Sequence, residues 1–136
     1  MKACDNKILE LDFFWDDFPK DILDNCSICD IILAADVVYD KNITFHFFKT
    51  LKKILSMSSK TAYIAIEKRK HAGTGGEIVA PNYKIFLDQL SQLENSPLNA
   101  KLQVNVTNIP LDFDQFFNYS RVSELNLFKI NSYESK

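Results

Sequence analysis

Glycine is scarce in this sequence: three among 136 residues, Gly73, Gly75 and Gly76, with none in the first 72 positions. A phosphate- or dinucleotide-binding turn needs glycine for positive φ and for close backbone approach to its ligand, so no intact turn of that kind can follow an early strand. Gly73 to Gly76 matches a phosphate loop only superficially, because Glu77 and apolar residues follow where lysine and a hydroxyl residue are required. It reads as a lid or a substrate-contacting loop. Cysteine is equally sparse. The three residues, Cys4, Cys26 and Cys29, are an odd number, and the N-terminus has no apolar stretch of secretory length, which implies a reducing, intracellular setting. Cys26 and Cys29 have the spacing of zinc and redox sites, but no second pair completes four ligands, so they read as thiols in a loop or at a strand entry. His46 and His71 lie too far apart in sequence to suggest a shared metal, and no metal site is expected. No run approaches the ~20 apolar residues of a membrane helix.

Neither sign of charge dominates: 16 Lys and Arg stand against 18 Asp and Glu, which argues against a nucleic-acid binder driven by bulk electrostatics. The distribution is uneven. Residues 1–40 carry ten acids and three bases, residues 41–72 one acid and eight bases, and residues 73–136 seven acids and five bases. Hydrophobic runs interrupt both charged blocks, so the swing separates two surfaces of one domain rather than marking a tail. Lys68, Arg69 and Lys70 form a basic cluster, either a nuclear-import signal or a solvated loop.

With 46% hydrophobic and 25% charged residues, the chain has the make-up of one folded domain, and no repeat or linker divides it. Residues 7–14 (KILELDFF) read as a strand that ends in a turn-rich Asp16, Asp17, Phe18, Pro19. Ile31–Ala35 is a continuous apolar run too short for a helix, as expected of a strand buried on both faces of a parallel sheet. Ile43, Phe47, Leu51, Ile54 and Leu55 recur at helical spacing, with Lys49, Lys52 and Lys53 outside that stripe. Residues 61–66 (TAYIAI) read as a second buried strand, which makes the unit a right-handed βαβ crossover. Pro81 suits a helix start, and Tyr83, Phe86, Leu87, Leu90 and Leu93 form its stripe. Leu102–Ile109 and residues 122–130 read as two late strands with no helical pattern between them, hence an antiparallel pair at one edge of an otherwise parallel sheet.

In open α/β sheets a ligand lies outside the carboxyl ends of the parallel strands. The residues there are all acidic: Asp12 near the end of the first strand, Asp36 after the second and Glu67 after the third. Three carboxylates on one rim can bind a metal, hold the polar groups of ribose or adenine, or receive a cationic substrate. The alternative is that acids end strands because charge stops burial. Asp36 and Tyr39 together suit an amine, since the carboxylate orients an ammonium and the aromatic face accepts its stem.

The stretch LAADVVYD at residues 33–40, followed by FKTL at 48–51, resembles the post-strand motif of the seven-stranded, S-adenosylmethionine-dependent protein-lysine methyltransferases of the methyltransferase-like group. ELD at 10–12 resembles the adenine-side motif of that group, IEKR at 66–69 is similar to a further stretch of it, and so is the segment from Asp114 through Tyr119 and Arg121 to LNLFKI at 125–130. The resemblance implies an α/β fold, an incomplete Rossmann-like methyltransferase sheet, mostly parallel with an antiparallel C-terminal strand pair. It also implies that residues 1–136 form a single partial domain, because the family's glycine-rich cofactor loop precedes the matched region. In the family's strand order the vacancy leaves Ile31–Ala35 with an unpaired edge.

By the same resemblance the cofactor is S-adenosylmethionine, with Asp12 accepting from the adenine amino group and Phe13 standing where the family has tryptophan. Ala34 and Ala35 would present backbone to the methionine half, Asp36 would orient the target lysine and Tyr39 would wall its channel. Glu67 would make a substrate or a structural contact. The implied partner is a protein bearing a target lysine, with no direct nucleic-acid or membrane contact, and the location is read as intracellular, with the nucleus favoured over the cytoplasm. Two functions stand: a protein-lysine N-methyltransferase represented by its C-terminal half, or a catalytically inactive truncated relative acting as a protein-binding module.

Overall fold

The computed structural model describes residues 9–37, 40–69, 71–72 and 78–135. Among the described residues three helices and six strands follow in the order α1 (Lys20–Ile28), β1 (Ile31–Ala35), α2 (Lys41–Leu55), β2 (Thr61–Glu67), β3 (His71–Ala72), β4 (Ile78–Val79), α3 (Pro81–Asn95), β5 (Leu102–Ile109) and β6 (Leu125–Glu134). Local chemistry sets the ends of α2. Asp40 caps it by accepting from the Ile43 N–H at 2.8 Å, and Lys52 and Lys53 place positive charge in its last turn. Pro81 opens α3, where its missing N–H removes no helical bond.

β1, β2, β6 and β5 form one sheet in that spatial order. β1 and β2 pair in parallel, with Ala35 opposite Ala65, while β6 runs antiparallel to both β2 and β5. Three of the four strands therefore share a direction and β6 alone opposes them, which matches the mostly parallel sheet with an antiparallel C-terminal pair read from the sequence. β3 and β4 make a separate two-stranded ribbon.

The core lies between one face of this sheet and helices α2 and α3. Phe47, Phe48, Leu51 and Leu55 of α2 and Phe86, Leu90 and Leu93 of α3 meet Ala62, Ile64, Ile66, Val104, Phe128 and Ile130 of the sheet. Phe48, Phe86 and Phe128 form a chain of rings with centroids 5.4 and 5.5 Å apart, so aromatic contacts run from α2 through α3 into β6. The period-2 burial of β2, with Ala62, Ile64 and Ile66 inward, fixes the register, since a one-residue slip would turn these side chains outward.

Four expectations need correction. Residues 9–14 are not a strand: Asp12 accepts the Phe14 N–H at 2.8 Å through Oδ1 and the Trp15 N–H at 3.2 Å through its carbonyl, closing a turn. The apolar residues there serve a different purpose. Phe13 packs edge-on against Phe47 and Phe14 lies over His46, strapping the segment onto α2 instead of the sheet. β1 is not buried on both faces, because Ile31 is 59% and Leu33 78% exposed while Ile32 and Ala34 turn toward the core. Among the described residues β1 pairs only with β2. Cys26 lies within α1 rather than in a loop, whereas Cys29, at the C-cap, sits in the short connection that enters β1, where the sequence places it. The last strand also begins three residues later than the 122–130 pattern indicates and extends to Glu134.

Candidate functional site

The parallel pairing of β1 with β2 brings their carboxyl ends together. Asp36 is the first residue after β1 and Glu67 the last of β2, so both reach the same rim of the sheet. Asp36 has φ 54°, a left-handed conformation that costs most residues about 1–2 kcal/mol and that aspartate tolerates better than most. Its N–H is held by the Ala65 carbonyl at 3.2 Å, which anchors the turn to the neighbouring strand. The chain then leaves the rim and enters α2 at the Asp40 cap.

Arg69 supplies the cation at this rim. Its Nη2 donates to Asp36 Oδ1 at 2.9 Å, with both side chains more than half exposed. Sequence reading did not single out this pair, whose members lie 33 positions apart. The available signal was the parallel register, which carries the residues after both strands to one place. Lys68 is engaged as well: its N–H donates to the Glu124 carbonyl at 2.8 Å and its ammonium lies 5.5 Å from the Tyr83 ring centre. Burial pushes the Tyr83 phenol above its ordinary value of 10.0. Lys70, the third base of the cluster, lies outside the described residues.

The other residues are placed as follows. Ala34 is half-buried and Ala35 exposed at the end of β1, the edge strand of the sheet among the described residues. Asp12 sits on the turn before α1, not at the end of a strand, and Phe13 is packed on α2. Tyr39, Gly73, Gly75 and Gly76 lie outside the described residues. Asp36 and Glu67 thus share one rim by strand register, whereas Asp12 is on a different type of element. Among the described residues no three His, Cys, Asp or Glu side chains gather as a metal site, and no helix is long and apolar enough to cross a membrane.

At the opposite, amino end of the strands, an open groove of about 580 Å³ is lined by Asp30, Lys60, Asn105, Asn131 and Tyr133 among others. Lys60 is buried there, and its Nζ donates to the carbonyls of Ser27 and Cys29, the last turn and C-cap of α1. Sequence patterning missed this residue too. Burial raises the thiol pKa of nearby Cys26, with Cys29 adding to the rise and Lys60 opposing it.

An α/β sheet with an acidic residue in a left-handed turn at the carboxyl end of a parallel strand is consistent with the family that sequence comparison finds. A family model described as lysine methyltransferase matches residues 1–91, two thirds of the chain, and the chain belongs to that family. Two curated proteins are similar across 91% of the chain. Methyltransferase-like protein 22 of Mus musculus is 28% identical over 142 residues, and the protein of the same name from Homo sapiens is 30% identical over 142. The chain spans 35% and 34% of their respective lengths, about a third.

Proposed function

We propose that this polypeptide forms the substrate-side part of an S-adenosylmethionine-dependent protein-lysine N-methyltransferase, with Asp36 orienting the amine that accepts the methyl group. The observation that carries this reading is the Asp36 carboxylate, held by a left-handed turn at the end of β1 and facing a cation, Arg69. A carboxylate that holds a guanidinium can equally hold a lysine ammonium, and family membership supplies the reaction class.

Ala34 and Ala35 fit a cofactor lying across the carboxyl end of β1, because no bulky side chain covers the backbone of its free edge there. When bound, S-adenosylmethionine supplies an electrophilic methyl group on a sulfonium. The protein's part is placement, which converts a chance collision into an in-line approach of nitrogen to carbon. Asp36 binds the lysine as its ammonium, so a proton must leave to solvent before the nitrogen lone pair can attack. Arg69 must also release Asp36 before that carboxylate can engage a substrate. Tyr39 serves in this proposal as a channel wall, Glu67 as a polar contact on the same rim, and Asp12 and Phe13 as the adenine-side pair.

Two measurements test the reading. Isothermal titration with S-adenosylmethionine should give micromolar binding, whereas absence of heat favours a non-catalytic protein-binding module. Transfer of radiolabelled methyl groups to proteins of a cell extract, assayed in the full-length protein, should be abolished by Asp36→Ala with cofactor binding nearly unchanged. Undiminished transfer by that variant would refute the role of Asp36.

A further inference from the structure

The segment joining β5 to β6 exposes a group of large aromatic side chains. Phe113, Phe116, Phe117 and Tyr119 are 46, 92, 74 and 43% exposed. Contiguous apolar surface of this kind marks interaction sites on folded proteins. The segment is tied down at several points. Arg121 donates through Nε to Tyr119 Oη at 2.9 Å and through Nη1 to the carbonyls of Phe113 at 2.6 Å and Leu111 at 3.1 Å. Its guanidinium also lies 4.3 Å from the Phe113 ring centre and 5.3 Å from that of Tyr119. Gln115 Nε2 donates to the Tyr119 carbonyl at 2.9 Å, and Phe116 and Phe117 meet edge to face with centroids 5.0 Å apart.

Its position is set by the sheet. β5 runs in the same direction as β1 and β2, so the segment leaves from the carboxyl rim. It returns there as well, since Leu125 at the start of β6 is in register with Glu67, and the Glu124 carbonyl accepts from the Lys68 N–H. The aromatic group therefore springs from the rim that carries Asp36. Its charge is one-sided: residues 111–120 contain Asp112 and Asp114 and no lysine or arginine. The Arg121 guanidinium is directed onto the loop's own carbonyls and rings.

We propose that this aromatic loop docks a basic, apolar-bearing stretch of the substrate polypeptide flanking the target lysine. The assignment of that stretch to a methylation substrate rests on the function proposed above for Asp36. Phe116 and Phe117 are the anchors, projecting apolar area into a partner from a segment already ordered by Arg121. Aromatic faces accept arginine or lysine cations, and Asp112 and Asp114 select a basic partner over an acidic one. Binding energy collected on this loop holds the lysine beside Asp36 without any contact to the reacting atoms.

The test uses the whole chain and two fluorescein-labelled peptides, one alternating arginine and leucine around a central lysine, the other with glutamate replacing arginine. Fluorescence anisotropy should show the basic peptide binding at least roughly tenfold more tightly than the acidic one. Phe116→Ser/Phe117→Ser should weaken the basic peptide by roughly tenfold or more, the range of anchor residues at interfaces. Asp112→Asn/Asp114→Asn disturbs no buried side chain and should weaken it several-fold while flattening its salt dependence. Unchanged affinity in both variants, equal affinity for the two peptides, or no binding by the unaltered chain would overturn the proposal. Parallel titration with S-adenosylmethionine keeps the two readings apart: variant-sensitive peptide binding without cofactor heat upholds the docking surface and counts against the methyltransferase reading alone.

Discussion

Replacing Lys60 should separate helix α1 from the sheet, and the size of the effect follows from the groups that its side chain joins. Lys60 is 3% exposed, its Nζ donates to the Ser27 and Cys29 carbonyls, and its N–H donates to Ser132 Oγ at 2.9 Å. The ammonium thus satisfies carbonyls at the end of a helix that has no basic residue in its own last turn. Lys60→Met keeps an apolar stem and removes the ammonium, with its charge and its donors to the Ser27 and Cys29 carbonyls. Charge-assisted hydrogen bonds contribute about 1.5–3 kcal/mol each, but relief from burying an ammonium offsets part of that, leaving an expected loss of about 1–2 kcal/mol. Lys60→Ala removes three further methylenes at about 0.8 kcal/mol each, for a total near 3–4 kcal/mol. Urea unfolding, followed by circular dichroism and by the fluorescence of the single tryptophan, Trp15, measures both variants. Amide exchange should meanwhile rise first in Lys20–Ile28 for either substitution. A loss below about 1 kcal/mol for Lys60→Ala, or equal losses for the two variants, would refute the division into polar and apolar parts.

Two other outcomes follow from the site and its surroundings. Exposed ion pairs contribute about 0.2–1 kcal/mol, so Arg69→Ala should lower unfolding stability by no more than that. Freed from this competitor, Asp36 should hold a substrate lysine up to about fivefold more tightly, read as a lower KM in the transfer assay; a higher KM would make Arg69 a substrate contact instead. Cys26, whose thiol is pushed above its ordinary value of 9.0 chiefly by burial, should alkylate more slowly in the folded chain than in urea at mildly alkaline pH. Because the folded form holds that proton more tightly, its stabilising contribution is fully present below pH 9 and is lost as pH rises through the folded value, which unfolding curves of Cys26→Ala and the unaltered chain will reveal by converging.

The elements legible in the sequence are those whose pattern is repeated several times over. α2 carries an apolar stripe that its burial matches, α3 buries Phe86, Leu90 and Leu93 of its stripe but leaves Leu87 exposed, and β5 falls where its alternation places it. α1 was invisible because only Ile22 of its nine residues is buried, too little to make a stripe. Its weak signals were Pro19 at the cap position and the Lys20–Asp24 pair at helical spacing. Residues 9–14 failed for the opposite reason: their apolar residues are real packing residues, but the partner is a helix, and alternation cannot name a partner. Ile31–Ala35 shows another limit, since an unbroken apolar run does not reveal whether its outer face is covered. At the site, the strand-end rule located Asp36 and Glu67, while the Asp36–Arg69 pair depended on strand register and so on tertiary structure. Asp12 was misplaced because the rule was applied to a strand that does not form.

The order of strands in space also sets an order in time. β6 lies between β2 and β5, yet it follows both in the chain, and its Ile130 pairs across to Ala62 and Val106. Until residues 125–134 have been synthesised, β2 lacks the neighbour on one side and β5 lacks the strand partner that the described residues give them, and the α2–α3 layer has only part of a surface to rest on. A ribosome making this polypeptide therefore carries an open sheet almost to the end of the described residues. Folding closes in one late insertion that joins β2 to a segment about 60 to 70 positions further on, the long-range pairing that is slow and leaves strand edges exposed to wrong partners in the interval.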